Sequence, residues 1–367
     1  MTRTLCFLLL LTACDSGGDA DSVDAGAAQD AVGGAGDAAE ADAAEADAAG
    51  PPAENVPGKY VRTLEVSGQT REFIVYVPEG AAGATPVPVV FMFHGTSGDG
   101  EKFYNISYWK EKADIEGFIA VFPSALTHCF HEDENGDGDG DDPGERKITT
   151  KWDGGIFENL PLCTAEEVAA LSAAQRALVD HPVADDLGFV DAMLDHLATE
   201  QAVDVHRIYA SGFSNGGQFT SRLARDRADR FAALAAAAGS LAVDPTPAAR
   251  QVPFVFTVGT LDDRFTSATG LESLPLDDTL FTPEALGGLT AKYLTLLQLA
   301  ATHTSEQVPA GMFTVTRHTF STSLVGGTNT LIFAVMEGLF HQYPNGDNYP
   351  FALANPLWDF FEQHVLP

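Results

Sequence analysis

The sequence predicts an α/β fold with a mostly parallel central sheet and helices on both faces, and three observations carry that expectation. Short continuous apolar runs recur at residues 88–93, 118–123 and 252–258, as expected of strands buried on both faces of a parallel sheet. Helical patterns separate the strands, the clearest at 185–197, where Leu187, Phe189, Val190, Met193, Leu194 and Leu197 fall on or near one face. The third is the stretch Tyr209-Ala210-Ser211-Gly212-Phe213-Ser214-Asn215-Gly216-Gly217. It reads as the end of a buried strand, a glycine-flanked serine, and a helix that starts near Asn215. Gly212-x-Ser214-x-Gly216 has the form of a nucleophile elbow, in which a serine sits on a strained strand-to-helix turn and the small flanking residues prevent a Cβ clash. The alternative is an ordinary Gly-Ser loop.

In chain order, Met1-Thr2-Arg3-Thr4 is a short positive start, and residues 5–11 form an apolar run too short to span a bilayer. Leu11-Thr12-Ala13-Cys14 resembles a bacterial lipoprotein signal, which implies cleavage before Cys14 and lipid on its sulfur. Residues 15–57 contain many Asp and Glu set in Ala and Gly and no Lys or Arg. With almost no large apolar side chain, they cannot bury enough surface to offset the entropy of ordering, and a disordered tether is expected. The net charge of −32 excludes nucleic acid and anionic membrane as partners, since both would repel the chain. Contact with a membrane is expected only through the lipid, at the cell envelope or after secretion. Residues 58–367 then suit one α/β domain, expected to act as a monomer.

Residues 60–66 and 71–77 read as antiparallel strands joined by Ser67-Gly68-Gln69-Thr70. The strand at 88–93 ends in His94-Gly95-Thr96-Ser97-Gly98, the place where an elbow-containing fold puts its first oxyanion donor. That donor would be the Thr96 backbone N–H, with His94 structural. A helix over 104–116 and the strand at 118–123 follow.

Residues 124–180 interrupt the alternation. Asp133, Asn135, Asp137, Asp139 and Asp141 supply oxygen ligands at alternate positions, with Gly138 at the sharp turn, as in the first half of a calcium loop. The bidentate Glu is missing: Gly144 stands at the twelfth position and Glu145 comes one place late. The pattern is similar to Asp-rich calcium repeats of extracellular proteins, and a structural Ca²⁺ is expected; a solvated acidic loop is the alternative. Cys6 goes with the signal and Cys14 with lipid, which leaves Cys129 and Cys163 as an even pair in an oxidising compartment. Their disulfide would close a loop of about 35 residues, worth roughly 3–4 kcal/mol on the chain-entropy model.

Ser214 needs a base and an acid. In the α/β-hydrolase fold these follow the serine in the order acid, then histidine, leaving His303, His318, His341 and His364. His303 reads as a helix end, His318 as part of a strand over 313–320, and His364 as part of the last helix. His341 alone falls in a loop after a strand at 331–337. Asp262 and Asp263 end the strand at 252–258, and Asp262 is preferred with Asp263 as runner-up.

Six features together resemble the secreted polyhydroxybutyrate depolymerase-like and feruloyl or acetylxylan esterases. They are His94-Gly95, residues 185–190 (Asp-Asp-Leu-Gly-Phe-Val), Gly212-Phe213-Ser214-Asn215-Gly216-Gly217, Gly259-Thr260-x-Asp262, Gly338-x-x-His341-x-Tyr343-Pro344 and Trp358-Asp359-Phe360-Phe361. Val258 stands where that family often has His, a position outside the triad. The resemblance implies Asp262 as the acid. It also implies a serine esterase without an organic cofactor, with Ser214 as nucleophile, His341 as base and the N–H groups of Thr96 and Asn215 as oxyanion donors. Short-chain, hydroxyalkanoate-oligomer or feruloyl and acetyl esters are the expected substrates. Trp152, Phe213, Phe265 and Tyr343 are candidates to line the pocket, and residues 266–311 are expected to form a lid. The rival readings are a serine peptidase of the prolyl-oligopeptidase type and a non-catalytic, calcium-stabilised surface binding protein.

Overall fold

The computed structural model describes residues 53–132, 146–157 and 160–367. The signal segment with Cys14, the tether up to residue 52 and the five predicted calcium ligands lie outside the described residues.

In chain order the strands are β1 (Gly58–Val66), β2 (Gln69–Val77), β3 (Val87–Phe93), β4 (Ile119–Pro123), β5 (Thr127–His131), β6 (Arg146–Thr150), β7 (Val203–Phe213), β8 (Ala233–Ala237), β9 (Phe254–Gly259), β10 (His303–Ala310), β11 (Phe313–Phe320) and β12 (Leu331–Met336). All but β5 and β6 form one ten-stranded sheet, in the order β1-β2-β4-β3-β7-β8-β9-β12-β11-β10. Its centre, from β4 to β12, is parallel, and antiparallel pairs close both edges. The apolar runs behave as buried strands should. Along β3, Val89, Phe91 and Phe93 enter one core while Val90 and Met92 enter the other, which is the period-two alternation of a strand covered on both faces.

The helices are α1 (Gly100–Ile106), α2 (Trp109–Glu116), α3 (Ala165–Ala170), α4 (Ala173–Val179), α5 (Asp186–Glu200), α6 (Asn215–Asp226), α7 (Asp263–Thr269), α8 (Glu284–Leu297) and α9 (Ala354–Phe361). Side chains of α5, α6 and α8 fill the first core, and those of α1, α2 and α9 fill the second. The α/β-hydrolase architecture expected from the sequence is therefore present, with helices on both faces.

Several local expectations need correction. The β1–β2 turn is tighter than the four residues expected, because Val66 pairs with Gln69. Ser67 and Gly68 both have positive φ, 51° and 78°, as a two-residue hairpin of type I′ requires. The single helix expected over 104–116 is two helices, broken where Tyr108 takes φ 68°. Residue 55 belongs to the fold, although the expected tether was to run to residue 57: Asn55 is buried, and its side chain bonds the Ala202 N–H and C=O at 2.9 and 3.0 Å. The lid expected at 266–311 is mostly structural. Its centre is α8, whose Leu286, Leu289, Tyr293, Leu294, Leu296 and Leu297 are core residues, and its end is the edge strand β10.

The insertion contains the β5–β6 hairpin and the short helices α3 and α4. Cys129 and Cys163 form a disulfide that ties β5 to the segment before α3, with their Cα atoms 5.4 Å apart. No helix among the described residues is long and apolar enough to cross a membrane.

Candidate active site

Ser214 caps α6 with φ 53° and ψ −119°, a strained conformation that lifts its side chain out of the strand-to-helix turn. Two glycines make that turn possible. A Cβ on Gly212 would meet the Gly216 carbonyl oxygen at 2.1 Å, and one on Gly216 would meet the Phe93 carbonyl oxygen at 2.3 Å. The spacing Gly-x-Ser-x-Gly is thus enforced by backbone-to-backbone contact between β3, β7 and α6.

The expected acid and base arrive on two adjacent strands. The turns after β9 and β12 are laced together: Thr260 N–H donates to the Met336 C=O at 2.9 Å, Leu261 N–H to the Leu339 C=O at 2.9 Å, and Gly338 N–H to Thr260 Oγ1 at 2.9 Å. A side chain on Gly259 would strike the Leu339 carbonyl oxygen at 2.0 Å, so Gly259-Thr260 is the contact surface between the two turns. Asp262 then lies fully buried, with its carboxylate oxygens 3.0 and 2.9 Å from His341 Nδ1. Its Oδ1 also accepts the Arg264 N–H at 3.1 Å as the cap of α7. His341 Nε2 stands 2.9 Å from Ser214 Oγ. A carboxylate can only accept, so Nδ1 carries the proton and Nε2 presents its lone pair to the serine hydroxyl. Asp263, the runner-up, is 65% exposed at its side chain and lies 3.6 Å from Arg264.

The other histidines are elsewhere. His303 opens the edge strand β10 instead of ending a helix, His318 lies within β11 as expected, and His364 falls just past α9. His94 is fully buried beside the turn that carries Thr96: its Nδ1–H donates to the Gly95 C=O at 2.7 Å and its Nε2 accepts the Ala125 N–H at 3.0 Å. Both nitrogens are committed to main chain, in keeping with a structural role.

Neither the Thr96 N–H nor the Asn215 N–H has a main-chain acceptor among the described residues. No motif shows that the insertion holds both segments. Ser97 N–H donates to the Thr150 C=O at 3.1 Å, and Thr150 Oγ1 donates to the Gly98 C=O at 2.7 Å. On the other side, Asn215 Oδ1 accepts the Trp152 N–H at 2.7 Å and Asn215 Nδ2 donates to the Trp152 C=O at 3.0 Å. Trp152 Nε1–H closes the ring by donating to the His94 C=O at 3.0 Å. Trp152 is therefore a buried clamp and not a pocket wall. Phe265 and Tyr343 are also buried, the latter accepting from Trp109 Nε1 at 2.9 Å. Of the four candidate lining residues only half-buried Phe213 faces the site, its ring 5.0 Å from that of His341. Phe340, 57% exposed and adjacent to His341 in sequence, was not anticipated; its position beside the base was the available signal.

Burial lowers the His94 pKa from 6.5 to about 4. Between those two values the unfolded chain binds a proton that the folded protein refuses, so stability falls as pH falls from about 6.5 towards about 4. One such group contributes at most about 1.4 kcal/mol per pH unit. His128 is lowered by burial to about 3 and adds a slope of the same sign. We expect His94→Asn, which keeps a donor towards Gly95, to flatten this slope; urea midpoints at pH 7 and pH 4.5 for both proteins measure it. Equal midpoint losses would show that His94 titrates freely in the fold.

Residues 73–274, more than half of the chain, match the dienelactone hydrolase family. The bifunctional acetylxylan esterase/xylanase XynS20E of Neocallimastix patriciarum is 26% identical over 196 residues, which is 53% of this chain and 22% of that protein. The chain thus spans about a fifth of the length of this curated relative. Among solved structures, the acetyl xylan esterase of Aspergillus awamori superposes with TM-score 0.48 at 13% identity, covering 83% of this chain and 99% of that one. A ferulic acid esterase of Anaeromyces mucronatus gives 0.43 at 12% identity, covering 85% and 91%. The chain belongs to the dienelactone hydrolase family, an α/β-hydrolase family of ester hydrolases.

Proposed function

We propose that this protein is an extracytoplasmic serine esterase that cleaves carboxylic esters through an acyl-enzyme. The observation that carries the reading is the unbroken hydrogen-bond path from buried Asp262 through His341 to Ser214 Oγ, 2.9 Å from Nε2, at a strained elbow. Ser214 Oγ attacks the ester carbonyl carbon while His341 Nε2 takes the hydroxyl proton. The acyl C–O bond then breaks, and the same proton passes to the departing alkoxide. In the second half a water gives a proton to His341 and attacks the acyl carbon; the acyl C–Oγ bond breaks, and His341 returns the proton to Ser214 Oγ as the acid leaves. Asp262 keeps the imidazole in the productive tautomer and stabilises the imidazolium. The N–H groups of Thr96 and Asn215 receive the negative charge on the carbonyl oxygen. The scheme uses no organic cofactor.

For the substrate, the acetylxylan esterase relative supports acetyl esters of a larger alcohol, and the motif resemblance adds feruloyl esters and hydroxyalkanoate oligomers. Phe213 and exposed Phe340 beside His341 offer apolar contact for such a group. The Cys129–Cys163 disulfide supports an oxidising compartment, with lipid on Cys14 as the anchor. A structural Ca²⁺ on the Asp-rich segment belongs to the same proposal, as does a monomeric state. Fluorophosphonate labelling, mapped by mass spectrometry, tests the reading alongside turnover of aryl acetate, aryl butyrate and methyl ferulate. Modification of Ser214 together with hydrolysis of at least one ester is expected. Folded protein that neither labels nor turns over would return the non-catalytic binding reading.

A further inference from the structure

We propose a second site, for a zinc-type divalent cation, built from Asp278, His303 and His318 at the β10 edge of the sheet. The β10–β11 register sets His303 opposite Phe320 and Ser305 opposite His318, so both imidazoles lie near the short turn of helix at Asp278–Phe281. Three groups converge on one carboxylate oxygen. Asp278 Oδ1 lies 3.1 Å from His303 Nε2, 3.3 Å from His318 Nδ1 and 2.9 Å from Ser305 Oγ. His303 Nδ1 in turn faces the Ala301 carbonyl at 3.4 Å. A neutral imidazole has one N–H, yet both nitrogens of His303 face oxygen acceptors. A second proton on the ring would satisfy both acceptors, and so would a metal cation between Nε2 and the carboxylate, which leaves a single proton on Nδ1.

The spacing suits tetrahedral coordination. Zinc bonds of about 2.0–2.1 Å to His nitrogen and carboxylate oxygen give ligand-to-ligand edges of roughly 3.3 Å, close to the 3.1 and 3.3 Å separations present. The ligand atoms of all three residues lie within 4.8 Å of one another, and Ser305 Oγ, 2.9 Å from His318 Nδ1, would turn aside to admit the ion. A cavity of about 480 Å³ is lined by Asp278, Ser305, Gln307 and Thr316 among others. Thr316, 1% exposed, has a hydroxyl without a hydrogen-bond partner among the described residues. Neither imidazole lines this cavity, which meets the cluster through Asp278 and Ser305. Two imidazoles and one carboxylate select zinc over calcium or magnesium, which take oxygen ligands.

The site is separate from the esterase chemistry. β11 neighbours β12, whose following turn carries His341, but Asp278, His303 and His318 hydrogen-bond one another and Ser305, and none bonds Ser214, Asp262 or His341. Its effect would be to fasten the 278–281 turn to the edge hairpin, and an ion that binds only the folded state raises its stability.

The test uses the full chain, stripped with a chelator and titrated with ZnCl₂ or CoCl₂ alone. One equivalent of Zn²⁺ should bind, raise Tm, and give a tetrahedral Co²⁺ band in the visible. His303→Gln and Asp278→Asn should each weaken that equivalent at least tenfold and abolish the band, while turnover of an aryl ester stays unchanged. Asp278 is 68% exposed at its side chain, so its variant stays folded even if the His303 replacement does not. The Asp-rich segment and the N-terminal cysteines are common to all three proteins, so the difference between them isolates this site. Zinc binding of equal affinity and stoichiometry in the variants, or none in the wild type, would reduce the cluster to a hydrogen-bonded contact.

Discussion

Asp262→Asn should leave the protein folded and lower kcat by about four orders of magnitude, whereas Asp263→Asn should change it less than threefold. The asparagine keeps an oxygen to cap α7 through the Arg264 N–H, which now lies 3.1 Å from Asp262 Oδ1. What it alters is the proton on His341. An amide N–H directed at Nδ1 favours the tautomer protonated at Nε2, so no lone pair remains 2.9 Å from Ser214 Oγ, and the stabilisation of the imidazolium is also lost. Asp263 has the same chemistry but not the position: it is mostly exposed and beside Arg264, where solvent and counter-charge screen it. Steady-state kinetics on one ester, with far-ultraviolet circular dichroism as the folding control, separates the two. Comparable losses in both variants would mean that the pair shares the task. Full activity in Asp262→Asn would remove this triad as the catalytic unit.

The contrast between these neighbours shows what could be read before the structure. Strand ends and apolar runs were legible because burial on both faces demands them; the order serine, acid, histidine left four histidines, and the loop position after a strand singled out His341. The elbow was legible because Gly212 and Gly216 have no room for a side chain. Burial of Asp262 beside exposed Asp263 was not legible, since it depends on how the turn after β9 meets the turn after β12. The same limit explains His303, read as a helix end but paired with Phe320 across a hairpin, and residues 266–311, read as a lid when α8 fills the core. Local pattern reports that a segment is apolar, not which surface it covers. The insertion is the extreme case: Thr150 and Trp152 carry no motif, and only long-range contacts place them against the Thr96 turn and Asn215. Where recognition worked, it worked at the level of fold and ester chemistry, shared by the depolymerase-like esterases that the motifs resemble and the dienelactone hydrolase family that the chain matches.

The Trp152 side of those contacts is backed by a buried ion pair, and its two halves should be unequal. Arg71 Nη2 donates to Asp186 Oδ1 at 2.7 Å, with both side chains fully buried. Asp186 Oδ2 accepts the Asp153 N–H at 2.7 Å, next to the Trp152 clamp. The guanidinium lies 4.3 Å from the centre of the Phe189 ring, and its Nε and Nη1 have no hydrogen-bond partner among the described residues. Asp186→Ala therefore strands a cation that cannot shed its proton, and we expect a loss of about 3–5 kcal/mol. Arg71→Met leaves a carboxyl that burial already pushes upward. That carboxyl can escape by taking a proton, so the loss should be about half as large. Joining the two as Arg71→Met/Asp186→Leu should recover most of the stability lost in Asp186→Ala, because an apolar pair needs no charge compensation. It should not recover kcat, since the Asp153 N–H still lacks its acceptor and the segment that positions Asn215 stays loosened. Urea midpoints at pH 7.5 and kcat on one ester measure both halves of the argument. Equal destabilisation by the two single variants would refute the proton-uptake account, and restored kcat in the double variant would detach the ion pair from the oxyanion donors.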